Sequence, residues 1–174
     1  SMVLVLATLM LFQRMVRASS AARGDALADA QRSAAFLAAG MAVQEAGFGI
    51  AAPRAGTHLV VLSGAALNGG TLSGSPVGEG TEGNAVVWAE AVSGTTRCTA
   101  LLSPTGSRQG GLRRLGPAPC ADATAWAGLA WTAAVLSDAP AAPVALAWQA
   151  GACRPFGIAG TAGHVLLTLR AVNS

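Results

Sequence analysis

Two histidines and three cysteines are the side chains of this sequence that bind metals or attack substrates most readily. His58 and His164 are far apart in the chain, and Cys98, Cys120 and Cys153 are also well separated. No cysteine pair has the C-x-x-C spacing that is typical of a structural zinc site. Each histidine is therefore interpreted as a surface or packed side chain, and we predict neither a metal site nor a cofactor.

The three cysteines are better suited to a disulfide, with one thiol left over. Of the three pairings, we favour Cys98 with Cys120, which would tie a strand to the loop after the next hairpin. Cys120 with Cys153 is its main competitor. A disulfide would indicate that the protein is exported, because an oxidising compartment such as the bacterial periplasm allows the bridge to form and persist.

Other patterns with chemical meaning are weak. Glu79 and Glu82 lie among glycines, but two carboxylates fall short of a calcium loop, so a solvated turn is predicted there. The nucleophile-elbow, zinc-protease and phosphate-loop motifs do not occur, and the chain has no tyrosine. The net charge of +3 comes from scattered arginines, with no stripe to follow a phosphate backbone. We predict neither an enzyme nor a nucleic-acid-binding protein.

The N-terminus has the composition of a membrane helix. Met2 to Phe12 is an unbroken run of apolar or small residues, which Gln13, Arg14 and Arg17 close. Crossing a bilayer takes about 20 apolar residues, and this run is about half as long. Residues 1–23 are therefore interpreted as the remaining part of a membrane anchor whose natural chain begins upstream. A buried core helix and the apolar part of a signal peptide are the alternatives.

Helical periodicity continues after this run. Apolar and small residues recur at alternating intervals of three and four, which places them along one side of a helix, with a second apolar row beside it. The predicted helix extends to about Phe48 and ends in the glycines and proline between Gly47 and Pro53. The first row consists of Leu27, Ala30, Ala34, Leu37, Met41, Gln44 and Phe48, and the second contains Phe36, Gly40, Val43 and Gly47.

From Thr57 onward, short β-branched and aromatic runs alternate with glycine, serine and proline, as in an antiparallel β-structure. Ser93-Gly94 predicts a hairpin turn, and the glycine-rich stretch Ala65 to Gly83 predicts a long loop. The fold class is therefore α+β, with a long N-terminal helix packed on a β-sheet head. The predicted strands are His58–Leu62, Ala85–Val92, Thr96–Leu102, Leu112–Leu115, Leu129–Leu136, Pro143–Gln149 and His164–Val172.

The helix carries a family resemblance. The residues AQRSAAFL at 30–37 and QEAGFGI at 44–50, after an apolar run with arginines at its edge, resemble minor pilins of the PilW type. Type II secretion pseudopilins of the GspJ kind are the second choice. The family's cleavage signal, glycine followed by Phe-Thr-Leu-x-Glu, does not occur, and Val5 stands where its glutamate would be.

This resemblance implies a structural subunit that helps initiate or cap a type IV pilus. It implies an inner-membrane anchor at 1–23 and a periplasmic domain at 24–174, with a helix at 24–48 and a β-rich head at 57–172. After assembly, the subunit would lie at the tip of a pilus or pseudopilus on the cell surface. The implied partners are other minor and major pilins or pseudopilins, and a pilus-tip adhesin. The expected helix interface is Leu27, Ala30, Ala34, Phe36, Leu37, Met41 and Phe48.

A function from another class also fits the sequence. The chain would then be a membrane-tethered periplasmic binding module whose sheet takes a small ligand or a peptide. Tryptophan supplies large contact areas in binding sites, although at strand positions it more often packs in the core or at an interface. The candidate contacts are Trp88, Trp126, Trp131 and Trp148.

Overall fold

The computed structural model describes residues 2–105, 111–137, 143–152 and 162–172. One long helix precedes antiparallel β-structure, which confirms the α+β class. Six strands form one sheet in the order β2-β1-β3-β4-β5-β6, and β7 and β8 form a second, two-stranded sheet. The elements are α1 Met2–Val43, β1 Leu59–Asn68, β2 Thr71–Val77, β3 Ala85–Val92, β4 Thr95–Leu102, β5 Leu112–Pro119, β6 Ala133–Ser137, β7 Val144–Ala152 and β8 Ala162–Ala171.

Helix α1 is 42 residues long and ends at Val43, so the prediction that it reaches Phe48 is wrong. Gly47 and Gly49 have positive φ angles of 76° and 71°, which turn the chain out of the helix. The Gly47 N–H donates to the carbonyl of Ala89 in β3, at 2.9 Å, instead of to a helix carbonyl. Within the described ranges, no helix combines the length and apolar character needed to cross a membrane.

The predicted loop from Ala65 to Gly83 is also wrong, because most of it is the β1–β2 hairpin. Gly69 and Gly70 form its turn with φ angles of 57° and 85°, values that glycine adopts at little cost. Leu72 is buried in the core, but most other β2 side chains are small and exposed. The strand therefore lacked the apolar alternation from which strands are predicted.

Other boundaries changed less. The turn at Ser93-Gly94 joins β3 to β4 as predicted, and both residues have positive φ. Strand β6 begins at Ala133, so the four residues before it do not belong to the predicted strand. A short 3-10 helix, Ala123–Gly128, precedes it and was not predicted. The Asp122 carboxylate caps this helix by accepting a hydrogen bond from the Thr124 N–H at 2.8 Å.

The six-stranded sheet is covered on both faces. Consecutive residues of β3 are buried on opposite sides, with Val86 and Trp88 under helix α1 and Val87 on the far side. The helix-side core also includes Val144 and Leu146 of β7. The opposite core lies beneath the 3-10 helix segment and includes Trp131. Helix, sheet and 3-10 segment therefore form successive layers around two apolar clusters.

Candidate functional site

Helix α1 packs on the sheet through a narrow stripe of alanines. Ala35, Ala39 and Ala42 are buried, and their spacing of four and three places them on one side of the helix. Ala39 and Ala42 belong to a cluster that includes Trp88 and Leu101. Because alanine is small, the helix lies close to the sheet and uses little of its circumference for this contact.

The rest of the helix surface remains apolar but uncovered. On α1, Leu27, Leu37 and Met41 are 65%, 68% and 62% exposed, and Ala30 and Ala34 are exposed as well. Phe48, which follows the end of the helix at Val43, is 67% exposed. With about 100° of rotation per residue, Leu37 lies roughly 200° around the helix from Ala39. We call Leu27, Ala30, Ala34, Leu37, Met41 and Phe48 the outer strip. Along α1 it has the alternating three-and-four spacing of a helix–helix seam.

Phe36 lies beside the outer strip on the side nearer the sheet, and its place in a helix interface stays a prediction. Its side chain is half-buried and packs on the helix-side core of this same chain. Phe36 lies about 100° from Leu37, between the alanine stripe and the outer strip. The sequence showed two adjacent apolar rows, and the structure half-buries the row of Phe36, exposes the outer strip and buries the alanine stripe, which belongs to neither row.

The N-terminal half of α1 projects beyond the head. Every side chain described between 12 and 31 is exposed, including Phe12, Met15 and Val16. The alanine stripe that contacts the sheet begins only at Ala35. The first half of the helix thus presents apolar side chains without a partner from the described part of the chain.

The residues that follow α1 join the helix firmly to the head. Gly47 donates a backbone hydrogen bond to Ala89, and the Ala91 N–H donates to the carbonyl of Phe48 at 2.8 Å. A Cβ atom at Gly49 would overlap the carbonyl oxygen of Ala91. Residues 46–49 (Ala-Gly-Phe-Gly) are therefore hydrogen-bonded to the end of β3, and we call this segment the clasp. By holding the end of α1 on β3, it sets the direction in which the outer strip points.

A charged cluster lies beside this clasp. Arg114 Nη2 is 3.4 Å from Glu45 Oε2, an ion pair that ties the residues after α1 to β5. Glu90 is buried nearby, and its cross-strand neighbour is Arg97. Burial raises the pKa of Glu90, the negative charge of Glu45 raises it further, and Arg114 and Arg97 partly oppose the rise.

The structure brings His58 and His164 to one pocket, although they are distant in sequence. The pocket has a volume of about 460 Å³ and lies between the end of α1, the segment before β1, and strand β8. Val43, Leu59 and Leu167 are among its apolar lining residues. Nothing in the sequence indicated this pocket, because its walls come from three separate parts of the chain.

The tryptophans do not form the binding surface that the alternative function would need. Trp88 and Trp131 are 0% and 4% exposed and lie in the two cores. Trp126 and Trp148 are partly buried and pack against those cores. Assigning the four as ligand contacts is therefore wrong for Trp88 and Trp131, whose rings are enclosed by the chain itself.

Glu79 and Glu82 hold the second sheet in place. Glu79 Oε1 accepts a hydrogen bond from the Ala150 N–H at 2.6 Å, and Glu82 pairs with the Arg170 guanidinium at 2.7 and 2.9 Å. The predicted solvated turn is thus a docking segment for β7 and β8. Within the described residues, no group of three or more His, Cys, Asp or Glu side chains is arranged to hold a metal ion.

A disulfide joins Cys98 of β4 to Cys120, with 5.7 Å between their Cα atoms. This is the first of the two pairings that the sequence favoured, and Cys153 lies outside the described residues. The bridge is on the sheet face opposite α1. It therefore stabilises the head without touching the outer strip.

Comparisons with protein-family models, with curated proteins and with solved structures find no match to this chain.

Proposed function

We propose that this protein is a minor pilin-like structural subunit that helps to initiate or cap a type IV pilus or a type II secretion pseudopilus. The observation that carries the proposal is the outer strip. One side of a 42-residue helix packs on its own head, while another apolar side stays exposed. Exposed apolar surface with regular helical spacing is typical of a helix that packs against other helices.

Burial of the outer strip would supply much of the association energy. Fully burying one Leu, Met or Phe side chain contributes about 1.5–3 kcal/mol. The four large side chains are about two-thirds exposed, so their burial would contribute on the order of 4–8 kcal/mol before the costs of association. A few pre-aligned helices could therefore nucleate a filament.

The partners in this proposal are the helices of other minor and major pilins or pseudopilins, with a tip adhesin as a partner of the head. The apolar N-terminal half of α1 would lie in the inner membrane before assembly, with the head in the periplasm. The clasp after α1 supports this role, because hydrogen bonds to β3 hold the helix in one orientation relative to the head. A fixed orientation lets head contacts and helix contacts form together.

A second candidate function is a periplasmic binding module. The pocket of about 460 Å³ beside β8 favours it, since it falls within the size range of ligand sites and has apolar walls with a few polar groups. The pocket and the outer strip occupy different parts of the surface, so each function can be tested separately.

Charge insertion into the outer strip tests the filament role. Leu37→Asp and Met41→Asp should leave the head folded, because both positions are exposed. They should reduce filament number at least tenfold in a strain that lacks the wild-type gene, since an unpaired carboxylate is strongly unfavourable in a helix bundle. Filaments are counted by electron microscopy, and folding is checked by thermal melting.

Ser33→Asp and Asp29→Arg are the control variants. Ser33 is exposed but lies one turn from Leu37, so Ser33→Asp marks the border of the strip. Asp29→Arg, whose neighbours one turn away are all outside the outer strip, should form filaments at the wild-type level. If Leu37→Asp and Met41→Asp both fold, are exported and support normal filament numbers, the outer strip is not an assembly interface.

A further inference from the structure

The outer edge of β8 has no hydrogen-bonding partner in the described part of the chain. The Val172 N–H donates to the carbonyl of Pro143, and this bond shows which residues of the antiparallel β7–β8 pair direct their backbone groups toward each other. In such a ladder alternate residues direct their N–H and C=O groups toward the partner strand. Val165 and Leu167 are an odd number of residues from Val172, so their backbone groups point away from β7.

The hydrogen bonds at the opposite edge of this sheet, on β7, agree with this assignment of outward-facing residues. Leu146 exchanges hydrogen bonds with Gly83 at 2.8 and 2.9 Å, and the Trp148 carbonyl accepts from Gly80 at 2.8 Å. These β7 residues pair with Leu169 and Leu167, so they too must face away from the ladder. The β7 edge is thus joined to the six-stranded region, and none of the residues that the structure describes covers the β8 edge.

The pocket lies along this open edge. Its β8 wall consists of the four consecutive residues 164–167, and Gly151 is its one β7 contact. Val165 and Leu167 point to one face of the strand and His164 and Leu166 to the other, so a pocket lined by all four also reaches the backbone of β8. The end of α1 and the segment around Pro53 form the facing wall.

The charge of the pocket limits what it can accept. Arg54, His58 and His164 line it, and none of the described residues in its walls is acidic. The His58 Nδ1 atom accepts a hydrogen bond from the Arg54 N–H at 3.0 Å. In the neutral ring the other nitrogen, Nε2, then carries the hydrogen and can donate. An occupant with apolar side chains and a carboxylate would match both the walls and the donors.

We propose that this pocket binds an extended peptide that adds as a third strand to the free edge of β8, with an apolar side chain in the pocket and a carboxylate near Arg54 and His58. Strand addition supplies affinity through main-chain hydrogen bonds and specificity through pockets for alternate side chains. A free fatty acid would fill apolar space without using the unpaired N–H and C=O groups of Val165 and Leu167. The proposal gives the second candidate function a ligand class and rests on that candidate, independently of filament assembly.

The test uses the purified full chain and a fluorescent N-acetylated octapeptide of alternating valine and threonine that ends in glutamate. Fluorescence anisotropy should show saturable binding. Two further peptides carry N-methyl groups on the odd or on the even residues. Since only one set of amides faces β8, one of these peptides should lose at least tenfold in affinity and the other should stay within threefold. Replacing the terminal glutamate by glutamine amide should weaken binding at least threefold.

Val165→Pro removes an outward N–H from an edge strand, where proline is tolerated, and Val165→Ala keeps it. The proline variant should bind the peptide at least tenfold more weakly than the alanine variant. No saturable binding, or equal affinity of both N-methylated peptides, would each overturn the proposal. None of these results bears on the filament assay, which measures the outer strip.

Discussion

The clasp between helix and head can be tested at a single glycine. Gly49 has a φ of 71°, and a Cβ atom there would overlap the backbone oxygen of Ala91. Gly56 has a similar φ of 81°, but an added Cβ would meet nothing within 4 Å. Alanine at these two positions therefore separates the cost of the backbone conformation from the cost of the overlap.

The expected magnitudes follow from these two terms. Alanine at a left-handed φ lowers the free energy of unfolding by about 1–2 kcal/mol. Alanine also reduces the conformational entropy of the unfolded chain, which offsets about 0.4–1 kcal/mol of that loss. Gly56→Ala should then destabilise by about 1 kcal/mol. At Gly49 the overlap must also displace the Ala91–Phe48 hydrogen bond and its surroundings, which adds about 1–3 kcal/mol.

Urea denaturation followed by circular dichroism measures the free energy of unfolding of both variants. Gly49→Ala should be less stable than Gly56→Ala by at least about 1 kcal/mol, or roughly 2–4 °C in Tm. If the stabilities of the two variants differ by less than about 0.5 kcal/mol, the scatter within which independent mutational effects add, Ala91 does not confine Gly49. The clasp would then not set the direction of the outer strip.

Three further predictions concern the head. Burial and the charge of Glu45 raise the pKa of Glu90 in the folded protein, so the contribution of this carboxyl to stability is fully present below its ordinary pKa and is lost as pH rises through the folded-state pKa. The Tm of Glu90→Gln relative to that of wild type should therefore increase from pH 4 to pH 7, and a constant difference would contradict this. The Thr99 hydroxyl is buried without a hydrogen-bond partner in the described structure, so Thr99→Val should stabilise by about 1 kcal/mol while Thr99→Ser does not. The Cys98–Cys120 bridge closes a loop with a sequence separation of 22, so replacing both cysteines by alanine should lower the free energy of unfolding by about 2–4 kcal/mol. Mass spectrometry of the oxidised wild type should find one alkylatable thiol, and three would refute the pairing.

The sequence alone determined that one long helix precedes antiparallel β-structure. An apolar N-terminal run, helical spacing up to the Gly47–Pro53 region and β-branched runs after Thr57 were enough for the α+β class, because periodicity reports local geometry directly. The hairpin at Ser93-Gly94 was predictable for the same reason, since its turn residues are adjacent in sequence. The β1–β2 hairpin was missed because its glycines and serines carry little apolar pattern.

The candidate sites depended on tertiary structure to different degrees. Leu27, Leu37 and Met41 could be named from spacing, but spacing alone could not show that the sheet covers Phe36 and leaves them exposed. Which side of α1 is exposed follows from where the clasp binds β3. This contact joins segments about 40 residues apart in the chain, such as Gly47 and Ala89. Local pattern showed two apolar rows, but the residues of α1 that are buried on the sheet, Ala35, Ala39 and Ala42, belong to neither row, and only packing could identify them.

The pocket beside β8 is entirely a product of tertiary structure. His58 and His164 were interpreted as unrelated residues because they are distant in the chain, and the walls that place them in one pocket come from α1, the segment before β1, and β8. Open strand edges leave no mark on composition, since any residue can carry an unpaired N–H or C=O group. The chain's residues supplied the chemistry, and the position of β8 beside the end of α1 decided where that chemistry could act.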